Sequence, residues 1–305
     1  MTTCQTGAID LKRVLAGAQL PALPQSAIRL LELAQDPATG PKEFAVPIES
    51  DPGLTGQVLR FVNSSYFGFA REIAAVKQAI ALVGIRTIKN FALWSAVFSL
   101  MPNPKCGALE LKHLWQDSLR RALLARTLAR IFSAKEPEEA FAAALLQDMA
   151  LPLLAKELPQ HYGKLLLARE QGKHRLSSLE ESCFGWSHAD AAAVMARQWN
   201  LPDAFALLIE GHTAIDRSPA AAAAEPGCLA VSLSALLPAI ADAGWPECAK
   251  FESCYQRVTR HGSPSTLDLL QQTDREFDDF APVLKLGSPN KSLVAAHEEA
   301  TAAVA

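Results

Sequence analysis

No long hydrophobic run, no paired cysteines and no surplus of positive charge occur in this 305-residue chain. The longest apolar windows, at 91–101 and 229–241, are interrupted by serine and fall short of the roughly 20 residues that cross a bilayer. No basic, apolar leader opens the chain, so the expectation is a cytoplasmic protein without a membrane partner. The six cysteines, at 4, 106, 183, 228, 248 and 254, contain no CxxC pair and no disulfide-framework spacing, as expected for thiols of a reducing compartment. A net charge of −3 removes the pull toward nucleic acid that a basic surface provides. Arg86 and Lys89, after the helix break at Gly84, are too few cations for a DNA-reading element, so no nucleic-acid partner is expected.

Aromatic residues are also scarce, at 7 %, while half the chain is hydrophobic, which leaves the core to aliphatic side chains. Alanine and leucine dominate, no segment shows the alternation of a strand, and no internal repeat is visible. The composition and periodicity predict an all-α protein.

Short helical patterns fill the first hundred residues. Asp51-Pro52 reads as an N-cap followed by proline at the first helical position, opening a helix that buries Leu54, Val58, Phe61 and Val62. Asn63-Ser-Ser-Tyr-Phe-Gly68 breaks the pattern. Further helices are predicted over 76–83 and from Thr87 to about Met101, and Pro102, Pro104 and Gly107 mark a boundary. Beyond it comes a long stripe from Leu111 to Phe132, then helices around Gln147-Asp148, 159–171, 188–199 and 228–241, the last after an alanine-rich link between Pro219 and Pro226. After Trp245 the pattern weakens.

One residue looks out of place. Phe141, Ala144, Leu145, Asp148 and Leu151 share one helical stripe, which puts a carboxylate on an apolar face. A buried carboxylate needs a cation, a metal or several donors, so Asp148 is either a site residue or a paired structural one. Asn63, Ser64, Tyr66 and Phe67 admit two readings as well: a recognition loop, or an inter-helix turn with its aromatics plugged into the core. Arg120, Arg121, Arg126 and Arg130 read as a solvated edge beside the apolar stripe of their helix, open to an anionic ligand or partner, and Asp117 with Arg121 as an i,i+4 surface pair.

Seven segments, in order, carry a resemblance: LPALPQSAIRLLELAQDP, IESDPGLTGQVLRFVNSSYFG, AVKQAIALVGIRTIKNFAL, LWQDSLRRALLARTLAR, AFAAALLQDMALPLL, ESCFGWSHADAAAVMARQWNLP and IEGHT. Together they resemble the HDOD domain, the HD-related output domain of bacterial signalling proteins, a degenerate relative of the HD and HD-GYP metal-dependent phosphohydrolases. The resemblance, over roughly 20–240, implies an N-terminal helical lobe over 21–105 and a degenerate HD-like helical lobe over 106–243; the pattern of the residues themselves adds a lead-in over 1–20 and an extension over 244–305 with a disordered tail. By resemblance, the first metal histidine of active relatives falls on Asp117 and the His-Asp pair on Gln147-Asp148. A third histidine is present as His188, the later ones are represented by His212 alone, and a late aspartate would fall near Ser234-Ala235, where none stands. IEGHTAIDRSPA occupies the region that would carry a GYP motif.

Asp117, Asp148, His188 and His212 could therefore supply ligands to a divalent metal such as iron, manganese or zinc, with Gln147 a poor ligand beside them; or the pocket persists as a hydrogen-bonded polar core. The departures at ligand positions favour the second, with no cofactor and no catalytic residue. The resulting expectation is a non-catalytic signal-transduction or regulatory protein that binds signalling proteins, and in a wider form a small anionic regulator or a second copy of itself. The alternative is a residual metal-dependent phosphohydrolase acting on a nucleotide or cyclic dinucleotide.

Overall fold

The computed structural model describes residues 9–302 apart from 19, 37, 218–224, 260 and 261. Among these no strand occurs, and the one β feature is an isolated bridge between Cys106 and Leu109. Most of the alanine-rich link between Pro219 and Pro226 lies outside the described residues.

The helices follow in chain order. α1 (Leu11–Gly17) is capped by Asp10; α2 (Gln25–Gln35), α3 (Pro41–Glu49), α4 (Pro52–Val62), α5 (Val76–Val83) and α6 (Ile85–Leu100) come next. Then come α7 (Leu111–Ile131), α8 (Pro137–Leu146), α9 (Ala150–Glu157), α10 (Pro159–Ala168), α11 (Leu176–Phe184), α12 (His188–Gln198) and α13 (Asp203–Glu210). The last are α14 (Ala214–Arg217), α15 (Pro226–Ser234), α16 (Cys248–Val258), α17 (Thr266–Phe280) and α18 (Leu293–Ala302). No single helix among the described residues is long and apolar enough to cross a membrane.

Two compact units form. The smaller comprises Ala22–Leu100 with Arg275–Ser288; the larger comprises Met1–Pro21, Met101–Asp274 and Pro289–Ala305. The stretch 244–305 thus contributes to both. Its described residues to Ala302 are largely helical, and residues 303–305, at the end of the tail expected to be disordered, lie outside the described residues.

In the smaller unit, Asp51 caps α4 by accepting from the Leu54 amide at 3.0 Å and also holds the Ser26 hydroxyl at 3.1 Å. The helix then buries Leu54, Val58, Phe61 and Val62. Gly84, at φ +88, separates α5 from α6 at a bend of 117°, a conformation L side chains rarely adopt. Phe61 stacks on Phe91 with ring centroids 4.1 Å apart and also meets Phe280.

In the larger unit, α8 and α15 pack against α7. Every residue from Ala140 to Leu146 is buried, so beyond its acidic first turn α8 is apolar all round, as a helix enclosed by others must be. The helix predicted over 228–241 stops at Ser234, because Pro238 cannot continue it.

Candidate functional site

Four segments of the larger unit converge on one cluster. The continuous helix predicted through Gln147-Asp148 is broken: α8 ends at Leu146, α9 starts at Ala150, and Gln147, Asp148 and Met149 form the turn between them. His188 opens α12. Its preceding residue, Ser187, is held in a capping box in which Asp190 accepts from the Ser187 amide at 2.7 Å. Asp190 therefore works as a cap, which removes it from any catalytic role beside His188. His212 sits in the 3-10 turn Gly211–Thr213 that follows α13. The fourth segment is α11, which brings in Glu180, a buried carboxylate that the sequence reading passed over.

The ring orientations follow from their partners. Glu180 Oε2 accepts from the His188 backbone amide at 2.8 Å and lies 2.6 Å from His188 Nδ1. Its other oxygen accepts from the buried Tyr162 hydroxyl at 2.6 Å. His212 Nδ1 lies 2.7 Å from the Ile209 carbonyl, which can only accept, so this nitrogen carries a proton. Both Nε2 atoms then face each other at 3.1 Å, with Asp148 Oδ1 at 3.3 Å from that of His188 and 3.8 Å from that of His212. Asp148 Oδ2 points the other way and accepts from Arg121 and, at 3.4 Å, from Gln147 Nε2.

Charge is distributed accordingly. Burial raises the Asp148 carboxyl, but Arg121 and the His188 hydrogen bond outweigh it and hold the group well below the usual carboxylate range. Burial opposes a charge on His188, yet the Glu180 carboxylate and the bonds to Asp148 and Glu180 prevail, raising it to about 10. Burial and the neighbouring His188 charge push His212 down to about 3. The resulting arrangement is Arg121 and imidazolium His188 against carboxylates Asp148 and Glu180, with neutral His212 accepting: two positive and two negative charges, mutually hydrogen-bonded.

Asp148, His188 and His212 also satisfy the geometry of a metal site, with one ligand atom from each lying within 4.8 Å of the others. Histidine ligands held through Nδ1 by a carboxylate and a carbonyl are what metal centres use to aim Nε2. Two observations weigh against occupancy. Arg121 already pairs with Asp148, and Gln147 supplies no third imidazole. Asp117 lines the same cavity but stands apart from the three: its Oδ1 accepts from the Ile240 amide at 2.9 Å, and burial raises it to about 6 against the pull of Arg121. No carboxylate occupies the late position; Ser234 there bonds the Val231 carbonyl at 2.8 Å.

Above the cluster lies a cavity of about 400 Å³. Its wall includes Arg169, paired with Asp242 at 2.9 Å, and Arg175, which donates to the Ala235 carbonyl at 3.2 Å.

The arginine row on α7 departs from its expected solvated edge. Arg120 and Arg126 are buried, Arg126 lying 5.0 Å from the centre of the Phe141 ring, and Arg121 pairs with Asp148 rather than forming a surface pair with Asp117. Only Arg130 keeps the expected exposed position, bonded to Glu138 at 3.1 Å.

The Asn63 loop belongs to the smaller unit. Asn63 Nδ2 donates to the carbonyls of Leu59 at 2.9 Å and Ile73 at 2.8 Å, and its Oδ1 accepts from the Ile73 amide at 2.7 Å. Ser64 bonds the Phe61 carbonyl at 2.7 Å, while Phe67 packs edge-on against Phe61 and Tyr66 against Phe280. The polar groups of Asn63 and Ser64 thus serve the turn itself.

Comparison with known proteins adds a family context. The family model of the HDOD domain matches residues 20–215. An uncharacterized protein of Treponema pallidum (strain Nichols) is 21% identical over 201 residues, covering 66% of this chain and 39% of that protein. The chain spans about two fifths of the length of the curated relatives it matches. Among solved structures, a candidate phosphohydrolase from Shewanella amazonensis SB2B superposes with a TM-score of 0.66 at 20% identity, covering 90% of this chain and 98% of that one. A candidate signal transduction protein from Marinobacter aquaeolei VT8 gives 0.61 at 21% identity, covering 92% of this chain and 60% of the other. At these identities the likeness establishes the helical fold alone.

Proposed function

The chain belongs to the HDOD domain family, and from that premise we propose that it is a non-catalytic regulatory protein of signal transduction whose degenerate HD pocket is a structural polar core. The observation that carries this reading is the pairing of Asp148: Arg121 occupies its outer oxygen, and Gln147 stands where the resemblance would place a further imidazole. A divalent ion would have to share a carboxylate already paired with an arginine. The output then passes to partner signalling proteins through binding rather than turnover, in keeping with the fold shared with a candidate signal transduction protein.

A second reading has a specific observation in its favour. Asp148 Oδ1 and the two Nε2 atoms form a three-donor set, each histidine anchored through Nδ1, beneath a cavity large enough for a small ligand. A divalent metal held there would supply a polarised water for phosphoester hydrolysis, and Arg121 would lie beside the reacting group. The experiment that separates the two is phosphoesterase assay of protein loaded with iron, manganese or zinc, beside the Asp148→Asn variant. Absence of any turnover lost in the variant supports the regulatory reading; turnover lost with Asp148 sinks it.

A further inference from the structure

A second group of metal-ligating side chains lies away from the pocket, in the last third of the chain. Cys248 and Glu252 are spaced i,i+4 on α16 and share one face; His297 reaches them from α18, which packs on α16. The ligand atoms of the three lie within 4.8 Å of one another, and His297 Nε2 is 2.8 Å from Glu252 Oε1.

We propose that Cys248, Glu252 and His297 form a binding site for a thiol-preferring divalent cation of the zinc class, which staples α18 to α16. In tetrahedral zinc sites, metal bonds of about 2.0–2.3 Å place ligand atoms about 3.3–3.6 Å apart. With the three atoms within 4.8 Å of one another, side-chain shifts of up to about 1.5 Å reach that spacing. Their chemistry narrows the ion: thiolate with imidazole and one carboxylate selects zinc over magnesium or calcium, which prefer oxygen. The surroundings are suitable. Cys248 is buried, the Trp245 ring stands edge-on to His297 at 6.2 Å, and Glu252, 30% exposed in its side chain, leaves an approach for water as the fourth ligand. Among the described residues no lysine or arginine pairs with Glu252, in contrast to Asp148 with its Arg121. An ion pair between Glu252 and His297 alone has no use for a thiol within reach of both.

Cobalt(II) reports on this site directly, because a thiolate ligand gives a near-ultraviolet charge-transfer band that the Asp148, His188 and His212 set cannot produce. The metal-free full chain is titrated with Co²⁺, alongside Cys248→Ser, His297→Ala and His212→Gln. One equivalent of cobalt with the band in the wild type and in His212→Gln, lost in both Cys248→Ser and His297→Ala, is the expected result. No band at saturating cobalt, a band that survives Cys248→Ser, or cobalt binding lost only in His212→Gln would overturn the proposal. His297→Ala removes a partly exposed side chain, so the test stands even where Cys248→Ser disturbs the core.

Discussion

Glu180 holds His188 at two points: one carboxylate oxygen accepts from the backbone amide at 2.8 Å and lies 2.6 Å from ring Nδ1. The same residue fixes where α12 begins and which way the ring faces, so helix start and site geometry have one cause. Removal of the carboxylate leaves the His188 amide, the ring and the Tyr162 hydroxyl without their buried acceptor. Glu180→Ala is expected to lose about 3–5 kcal/mol in urea unfolding, the range for breaking a buried charged pair. Tyr162→Phe, which deletes one donor, should lose only about 1 kcal/mol.

The Arg121–Asp148 pair gives a complementary expectation. Arg121→Ala leaves a buried carboxylate with His188 as its remaining cation, and a loss of about 3–5 kcal/mol follows. Asp117→Asn changes a group that bonds only one backbone amide through Oδ1, and a loss below about 1.5 kcal/mol is expected in the same assay.

Stability should depend on pH, with its steepest loss on the alkaline side. His188 is raised from 6.5 to about 10, so the stability it confers is complete below pH 6.5 and is lost as pH climbs toward 10. His212 is depressed to about 3, so its contribution is present above pH 6.5 and is lost as pH falls from 6.5 toward 3. Asp148, depressed below its ordinary 3.8, adds to the acid limb below that value. Asp117, raised to about 6, opposes it between 3.8 and 6 and there offsets most of the His212 slope. Unfolding free energies measured across pH 4–10 should be nearly level between about pH 5 and 6.5 and fall above it. His188→Gln should flatten the alkaline limb; an unchanged limb in that variant would show His188 to be neutral in the folded protein.

Gly172 offers a test of the cavity rim. Its φ is +105, and a Cβ there would stand 2.6 Å from Asp242 Cγ, the partner of Arg169. Gly172→Ala should therefore cost about 1–3 kcal/mol, visible as a lowered thermal midpoint. Gly163→Ala, in α10 with nothing within 4 Å of the new methyl, should instead raise the midpoint by the helix propensity gained, about 0.5–1 kcal/mol.

The Asn63 turn separates recognition from structure. Three hydrogen bonds to the backbone at Leu59 and Ile73 predict a loss of about 1–3 kcal/mol for Asn63→Ala. A variant of full stability would show the side chain to be dispensable for the turn.

Much of this was legible from residues. Asp51-Pro52 announced α4 because capping is local chemistry, and Asp148 was identifiable because a carboxylate on an apolar stripe demands a partner. The partner was not. Arg121 lies 27 residues away on another helix, and its spacing from Asp117 suggested a nearer ion pair. Glu180 carried the same signal as Asp148, a carboxylate on a face with Ser177 and Phe184, yet the stripe is short and drew no notice. α17 was missed because the acidic run around Asp274 and Asp278 masked a buried stripe of Leu269, Leu270, Thr273, Phe277 and Phe280. The turn at Gln147–Met149 has no proline or glycine to mark it, so only tertiary packing distinguishes it from continuous helix.

The most direct test is metal content by mass spectrometry of protein purified without chelator or affinity-tag metal, wild type beside Asp148→Asn. An Arg121-paired Asp148 predicts the same content in both, with any zinc present lost instead in Cys248→Ser and His297→Ala. About one equivalent of iron, manganese or zinc that is lost in Asp148→Asn would contradict a metal-free pocket and return the protein to the hydrolases.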